Sequence, residues 1–419
     1  MWGSRWLSYE NGLLLLLGFS FGVLFFDRNA LSFLMPFILD DLHLNNTQIG
    51  LLGSGLALAW ALSAYFIGAW SDRSKRRKPF LLASVIIFSC CSFLSGLAGS
   101  FLMLLAARII MGFAEGPFLP VCLAIMNQES SPRRRGLNAG IMQNAFSALL
   151  GTTLAPIILV WLAELNGWRA SFFIAGVPGL ACALLIWRYV REPAGSGAVA
   201  MQSAEANRQD TGILALLRVH NVCICALISC CMVGWLILGW TFLPVFFTEY
   251  RHFSPVQMSR LMSVLGICAA LGGFLVPALS DRVGRKPVMI LFCLMSAIAP
   301  LTALLFHGPL WIMGTLMFLG WCGTGVFPLY MGVVPGESVS PGIAATAMGM
   351  VVCIGEIVGG FLLPVLSGWV ADQTSLAAPI LIAAACALCG GLLGLLLEET
   401  APEAVRGNPC QRPDSALEL

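Results

Sequence analysis

Apolar stretches of about twenty residues, each closed by a short polar interval, run along this chain from residue 12 to residue 397. An α-helix needs roughly 20 apolar residues to cross the hydrocarbon core of a bilayer. Twelve stretches meet that length, near 12–36, 47–71, 79–98, 101–126, 137–162, 169–190, 220–247, 256–280, 288–306, 309–333, 342–370 and 376–397. Between the sixth and seventh lies a polar, small-residue segment, Arg191-Glu-Pro-Ala-Gly-Ser-Gly through Gln209-Asp-Thr-Gly, with the composition of a linker. The pattern predicts an all-α membrane protein with a six-helix bundle over 1–190, a linker over 191–219, a second bundle over 220–397 and a tail over 398–419. The first stretch carries Asp27-Arg28 and has no small-residue cleavage site, so it reads as a retained helix and not as a signal peptide.

Composition agrees: 58% hydrophobic and 11% charged residues cannot coat a surface in water, and mean hydropathy is +0.86. Lipid must be the solvent. Lysine and arginine are retained on the cytoplasmic side of short loops, and with both termini cytoplasmic 18 of the 23 fall inside. Arg169, Arg251 and Arg260 lie outside, while Arg28 and Arg108 fall within predicted helices. The expected location is the cell (inner) membrane, with a chain that works as a monomer. Nearly all 15 cysteines sit inside apolar helices, which argues for packing and against a disulfide framework or a metal site. Cys386-Ala-Leu-Cys389 has no partner pair. A net charge of +2 with basic residues placed for topology gives no support to nucleic-acid binding. Nucleophile elbow and phosphate loop are both absent from the sequence, so an enzyme is not expected.

The halves repeat. Gly68-Ala-Trp-Ser-Asp72-Arg73-Ser-Lys75-Arg76-Arg77-Lys78 returns as Pro277-Ala-Leu-Ser-Asp281-Arg282-Val-Gly284-Arg285-Lys286-Pro287, with the aspartates 209 positions apart. At an offset of 208, Pro36, Gly112, Pro120, Gly151, Pro156 and Trp161 meet Pro244, Gly320, Pro328, Gly359, Pro364 and Trp369. The charges inside the membrane do not repeat: Asp27, Arg28, Arg108 and Glu115 face Trp235, Leu236, Leu316 and Gly323. Each such charge costs about 2.5–3.5 kcal/mol on insertion scales, so the four must be paired or wet, and they mark the first half as the seat of function.

The duplicated loop and the full-length repeat resemble the major facilitator superfamily, whose loop between helices two and three reads Gly-x-x-x-Asp-Arg-x-Gly-Arg-Arg. Lys75 departs from that pattern in the first copy and Pro277 in the second. Asp27-Arg28-Asn29-Ala30-Leu31-Ser32, Ser54 placed 18 before Asp72, and Arg108-Ile-Ile-Met-Gly112-Phe-Ala-Glu115-Gly116-Pro117 are similar to its anion:cation symporter branch, which includes bacterial hexuronate and galactonate symporters, sialin and the vesicular glutamate transporters. The resemblance implies transport of an organic anion with protons as the coupling ion and no other cofactor. It assigns proton handling to Asp27 and Glu115, substrate carboxylate binding to Arg28, and coupling with Glu115 to Arg108. It makes Asp72 and Arg73, with Asp281 and Arg282, parts of an inward gate. A plain topology signal is the competing reading of those four residues. Trp60 stands where sugar-acid members tend to carry tyrosine, and Glu356 where they tend to carry asparagine, which points to a cargo other than a sugar acid.

Spacing adds a physical case. Arg108, Gly112 and Glu115 share one helical face, but the two charges lie about 10 Å apart along the axis and cannot pair easily. Arg108 either serves the site or ties statically to Asp27. Asp27 and Arg28 point about 100° apart, so one can face a neighbouring helix and the other a cavity. Arg28 offers a planar fork of donors suited to a carboxylate. Gln143 and Asn144 are either substrate contacts or helix-joining groups. Glu356 is a third proton site, a substrate contact or a backbone acceptor. Trp235 and Tyr330, with Trp240, form either an aromatic cavity wall or a lipid-facing belt. The leading expectation is a proton-coupled importer of a small organic anion working by alternating access. The alternative is a proton-driven exporter, for whose helix-five motif Gly151-Thr-Thr-Leu-Ala-Pro156 is only a loose echo.

Overall fold

A computed structural model describes residues 9–74, 77–131, 134–192, 216–340 and 343–401, apart from the side chains of 65, 68–74, 135, 136 and 345. Among these residues every regular element is helical. The first four helices are α1 (Tyr9–Leu42), α2 (Asn46–Ser74), α3 (Lys78–Gly96) and α4 (Phe101–Glu129). A continuous stretch, Leu137–Tyr189, follows, and it is too long for one crossing. Gly167 breaks it with φ 80° and ψ 160°, a conformation that side-chain-bearing residues rarely adopt. The break gives α5 (137–166) and α6 (168–189), about 45 and 33 Å long, each able to span the roughly 30 Å core. The remaining helices are α7 (His220–Tyr250), α8 (Pro255–Val283), α9 (Arg285–Leu305), α10 (Leu310–Glu337), α11 (Thr346–Gln373) and α12 (Ala377–Gly394). Among the described residues twelve membrane-capable helices result, as the apolar pattern predicts.

The repeat reaches into the turns. Between α1 and α2, His43 takes φ 49°, and Asn45 and Gln48 exchange side-chain-to-backbone hydrogen bonds of 3.0 and 2.8 Å. Between α7 and α8, His252 takes φ 52°, and Ser254 and Gln257 make the same reciprocal pair at 3.0 and 3.3 Å. Both are capping boxes, which satisfy first-turn N–H groups that lack helical partners. The start of α3 is closed by the Glu192 carboxylate, which accepts from the backbone N–H of Arg77 and Lys78 at 2.5 and 3.1 Å. Glu399 does the same for Arg285 and Lys286 at 2.8 and 3.1 Å at the start of α9. In each half the chain leaving the sixth helix turns back to place an anion at the positive end of the third.

Helix contacts follow the shared glycines. A β-carbon on Gly151 of α5 would overlap Phe25 of α1, and one on Gly359 of α11 would overlap the Cys230 carbonyl of α7. Both glycines lie in π-helical turns, Ser147–Leu154 and Glu356–Leu362, where the widened backbone lets the crossing tighten. Trp161 and Trp369 are exposed, 57% and 56%, as are Leu102 and Trp311. Surfaces of this kind are stable only against lipid. The chain divides into two compact units, one of Met1–Met201 with Phe247–Ile267, the other of Gln202–Phe246 with Cys268–Leu419.

Candidate functional site

Three consecutive residues of α1 reach three different helices, because each step turns the side chain by about 100°. Asp27 faces α3, where Ser92 Oγ lies 2.5 Å from its Oδ1. Arg28 faces α4, with Nη1 3.8 Å from Glu115 Oε2. Asn29 faces α5 and donates to the Gly151 carbonyl at 2.8 Å. The Asn29 bond sits where the glycine contact has already brought the two backbones together.

The four unmatched charges of the first half form one cluster. Asp27, Glu115 and Arg108 are buried at 0%, 1% and 3% exposure, whereas the Arg28 side chain keeps 18%. Arg28 is therefore the cation of the cluster that keeps accessible surface. Its guanidinium carbon lies 5.4 Å from the centre of the Trp60 ring and 5.6 Å from that of Phe25. The rings supply cation–π attraction. At 3.8 Å the pair with Glu115 is ionic without a hydrogen bond, and neither Glu115 oxygen has a hydrogen-bond partner. A buried carboxylate so placed compensates the arginine charge without taking up its hydrogen-bond donors.

Arg108 does not meet a carboxylate. Its Nη2 donates to the Arg28 backbone carbonyl at 2.8 Å and its Nη1 to the Met111 sulfur at 3.4 Å, while Nε has no partner. The static tie between Arg108 and Asp27 is thus not formed, and the partner of Glu115 is Arg28. By gripping the carbonyl at residue 28, Arg108 fixes the part of α1 that carries the cluster.

Other predicted residues stand elsewhere. Gln143 and Asn144 are exposed on α5, within the π-helical turn Ile141–Ala145. Amide groups are costly against hydrocarbon, so this face suits water. Trp235 and Tyr330 do not line an open wall: both are buried, at 1% and 0%. Trp235 donates from Nε1 to the Ser296 carbonyl of α9 at 3.0 Å and packs on Trp321, with ring centres 4.6 Å apart. Glu356 is half-buried on the π-helical turn of α11, its Oε2 lying over Gly360. Asp281 pairs with Arg285, which also reaches Glu337 at 3.2 Å, and Arg282 is exposed. The side chains of Asp72 and Arg73 lie outside the described residues. Every described cysteine is a free thiol, and no metal-ligand cluster occurs among the described residues.

The model of the Major Facilitator Superfamily matches residues 17–254 and 222–413. The chain belongs to that superfamily. It is similar to a probable 4-methylmuconolactone transporter of Cupriavidus pinatubonensis, 28% identical over 80% of this chain and 78% of that one. It is also similar to the hexuronate transporter of Bacillus subtilis, 27% identical over 84% and 85%. Among solved structures it matches a bacterial homologue of the human lysosomal transporter Spinster, with a TM-score of 0.72, 21% identity, and coverage of 94% and 98%. The structural likeness shows the fold. Membership makes the protein a membrane transporter and not an enzyme, and its relatives support the anion-symporter resemblance.

Within this superfamily member, Asn29, Ser92, Glu192 and Glu399 are contacts that the sequence reading did not single out. Asn29 adjoins the Asp27-Arg28 pair, and an acidic residue follows the last helix of each half, so signals existed for three of them. Ser92 lies in Ser89-Cys90-Cys91-Ser92 and carries no distinguishing mark.

Proposed function

We propose that the protein is a proton-coupled symporter that takes up a small organic anion across a cell membrane, with both termini on the cytoplasmic side. The pairing of partly exposed Arg28 with fully buried Glu115 carries this reading. When Glu115 is ionised, its charge balances Arg28. A proton on Glu115 leaves Arg28 uncompensated in a low-dielectric setting, and a substrate carboxylate is the group that restores balance. Anion and proton are then bound together, and the loaded and empty sites carry the same net charge. Trp60 and Phe25 beside Arg28 give the bound anion an apolar wall, and Gln143 and Asn144 offer further donors. Relatives named for 4-methylmuconolactone and hexuronate support a carboxylate-bearing cargo. Alternating access of the two halves is the family's way of carrying such a load.

The reading is tested by uptake into liposomes of organic acids that first raise the melting temperature of the purified protein. An inward proton gradient should drive accumulation that stops when the gradient is collapsed. Uptake indifferent to the gradient would refute the coupling, and accumulation only under the opposite gradient would identify an exporter.

A further inference from the structure

Ser92 has more acceptors than protons. Its hydroxyl, fully buried, lies 2.5 Å from Asp27 Oδ1 on α1 and 2.9 Å from the Phe172 carbonyl on α6. A hydroxyl carries one proton and two lone pairs. If Asp27 is ionised, both neighbours are acceptors, one proton must serve two, and one short contact sets oxygen lone pairs against each other. If Asp27 carries a proton, it donates to Ser92, Ser92 donates to Phe172, and both contacts are hydrogen bonds. The other Asp27 oxygen, Oδ2, is buried without a partner. The remaining charged or titratable groups around Asp27 are Glu115 and Arg108 from α4, Cys91 from α3, and its chain neighbour Arg28.

We propose that Ser92 is a positioning residue for proton coupling, a hydroxyl relay whose proton is held by Asp27 when that carboxylate is ionised and by the Phe172 carbonyl when Asp27 is protonated. One proton on α1 then decides whether α3 is bonded to α6 at Ser92, in the middle of a contact that Lys78 also ties through the Trp187 carbonyl at 2.8 Å. Protonation of Asp27 stiffens the α1, α3 and α6 group, and its deprotonation loosens it. The relay moves a hydrogen bond and transfers no net charge beyond the Asp27 proton. The proposal rests on the proton-coupled reading, and it adds a residue that this reading does not require.

Infrared difference spectra between low and high pH, taken on the full-length protein in liposomes, separate the two. A protonated-carboxyl band that disappears in Asp27→Asn reports Asp27. In Ser92→Ala the same band should persist and move to the higher wavenumber of an acid without a hydrogen-bonded partner, with Ser92→Cys falling between. Gradient-driven uptake by Ser92→Ala should drop about tenfold, the weight of one charge-assisted hydrogen bond, while substrate exchange at constant pH stays within about twofold of wild type. A band unmoved in Ser92→Ala, or exchange lost as fully as driven uptake, would overturn the relay. Absence of any band that depends on Asp27 would instead remove Asp27 from the coupling, and the relay with it.

Discussion

Asp27 and Trp235, 208 positions apart, each tie the first helix of their half to the third. Asp27 does so through Ser92 of α3 at 2.5 Å, and Trp235 through the Ser296 carbonyl of α9 at 3.0 Å. One link involves a group that can gain or lose a proton; the other is an indole N–H that cannot. The same substitution of chemistry recurs at Glu115, whose counterpart is Gly323. A β-carbon there would overlap Ser296 Oγ, so α9 and α10 close over the space that the first half gives to an acid. The repeat preserves the scaffold, and the second half replaces the ionic parts with packing.

Removing the Glu115 charge should separate binding from coupling. Glu115→Gln leaves Arg28 without its 3.8 Å counter-charge, so affinity for the anion should rise about tenfold, as for loss of a competing partner in a desolvated pair. Gradient-driven accumulation should vanish while exchange continues. Counterflow and driven uptake on the same liposomes check both halves of this expectation.

Arg28→Lys keeps the charge and loses the fork. Affinity should fall at least about tenfold, because a point charge cannot reproduce two parallel hydrogen bonds. Titration of substrate-induced thermal stabilisation, with expression and melting temperature as controls, reads the loss.

Trp235→Phe should cost about 1 kcal/mol of stability, the worth of one buried hydrogen bond, and leave the pH dependence of uptake unchanged. A shift in the pH profile would show that the α7 to α9 link takes part in coupling after all. Thermal unfolding together with uptake across a pH series distinguishes the two results.

Glu192→Ala and Glu399→Ala should each destabilise by about 1 kcal/mol, since each removes an anionic cap from the start of a helix. Glutamine at either position should recover part of the loss by keeping the acceptor without the charge. Melting temperatures of the purified variants, compared in pairs, also report whether the two halves depend equally on this contact.

Much of the scaffold was readable in one dimension. The twelve spans and the matched glycines and prolines depend on local hydrophobicity and backbone freedom, which are properties of short segments. Asp27, Arg28, Arg108 and Glu115 were visible for a similar reason: a charge within an apolar run is expensive wherever it points. Their partners were not visible. Helical spacing discourages a pair between Arg108 and Glu115, and the structure has none, but no spacing rule says that Arg108 binds the carbonyl of residue 28 or that Glu115 faces Arg28. Those contacts are set by how α1 and α4 are rotated against each other, which the packing of the whole helix group decides.

Trp235 and Tyr330 show the same limit from the other side. An aromatic residue in a membrane helix fits lipid, a cavity or the helix interior equally well by composition, and only burial among neighbouring helices assigns it to the last. Ser92 is plainer still, an ordinary small residue until its hydroxyl lies between a carboxylate and a carbonyl. The sequence by itself determined a duplicated twelve-helix membrane protein in which Asp27, Arg28, Arg108 and Glu115 have no charged counterpart in the other half, because solvent preference and repetition are written residue by residue. The tertiary structure alone decided which charges neutralise each other, which cation keeps accessible surface and which hydroxyl lies between a carboxyl and a carbonyl, because hydrogen bonds act over about 3 Å and depend on helix crossings that no single segment specifies.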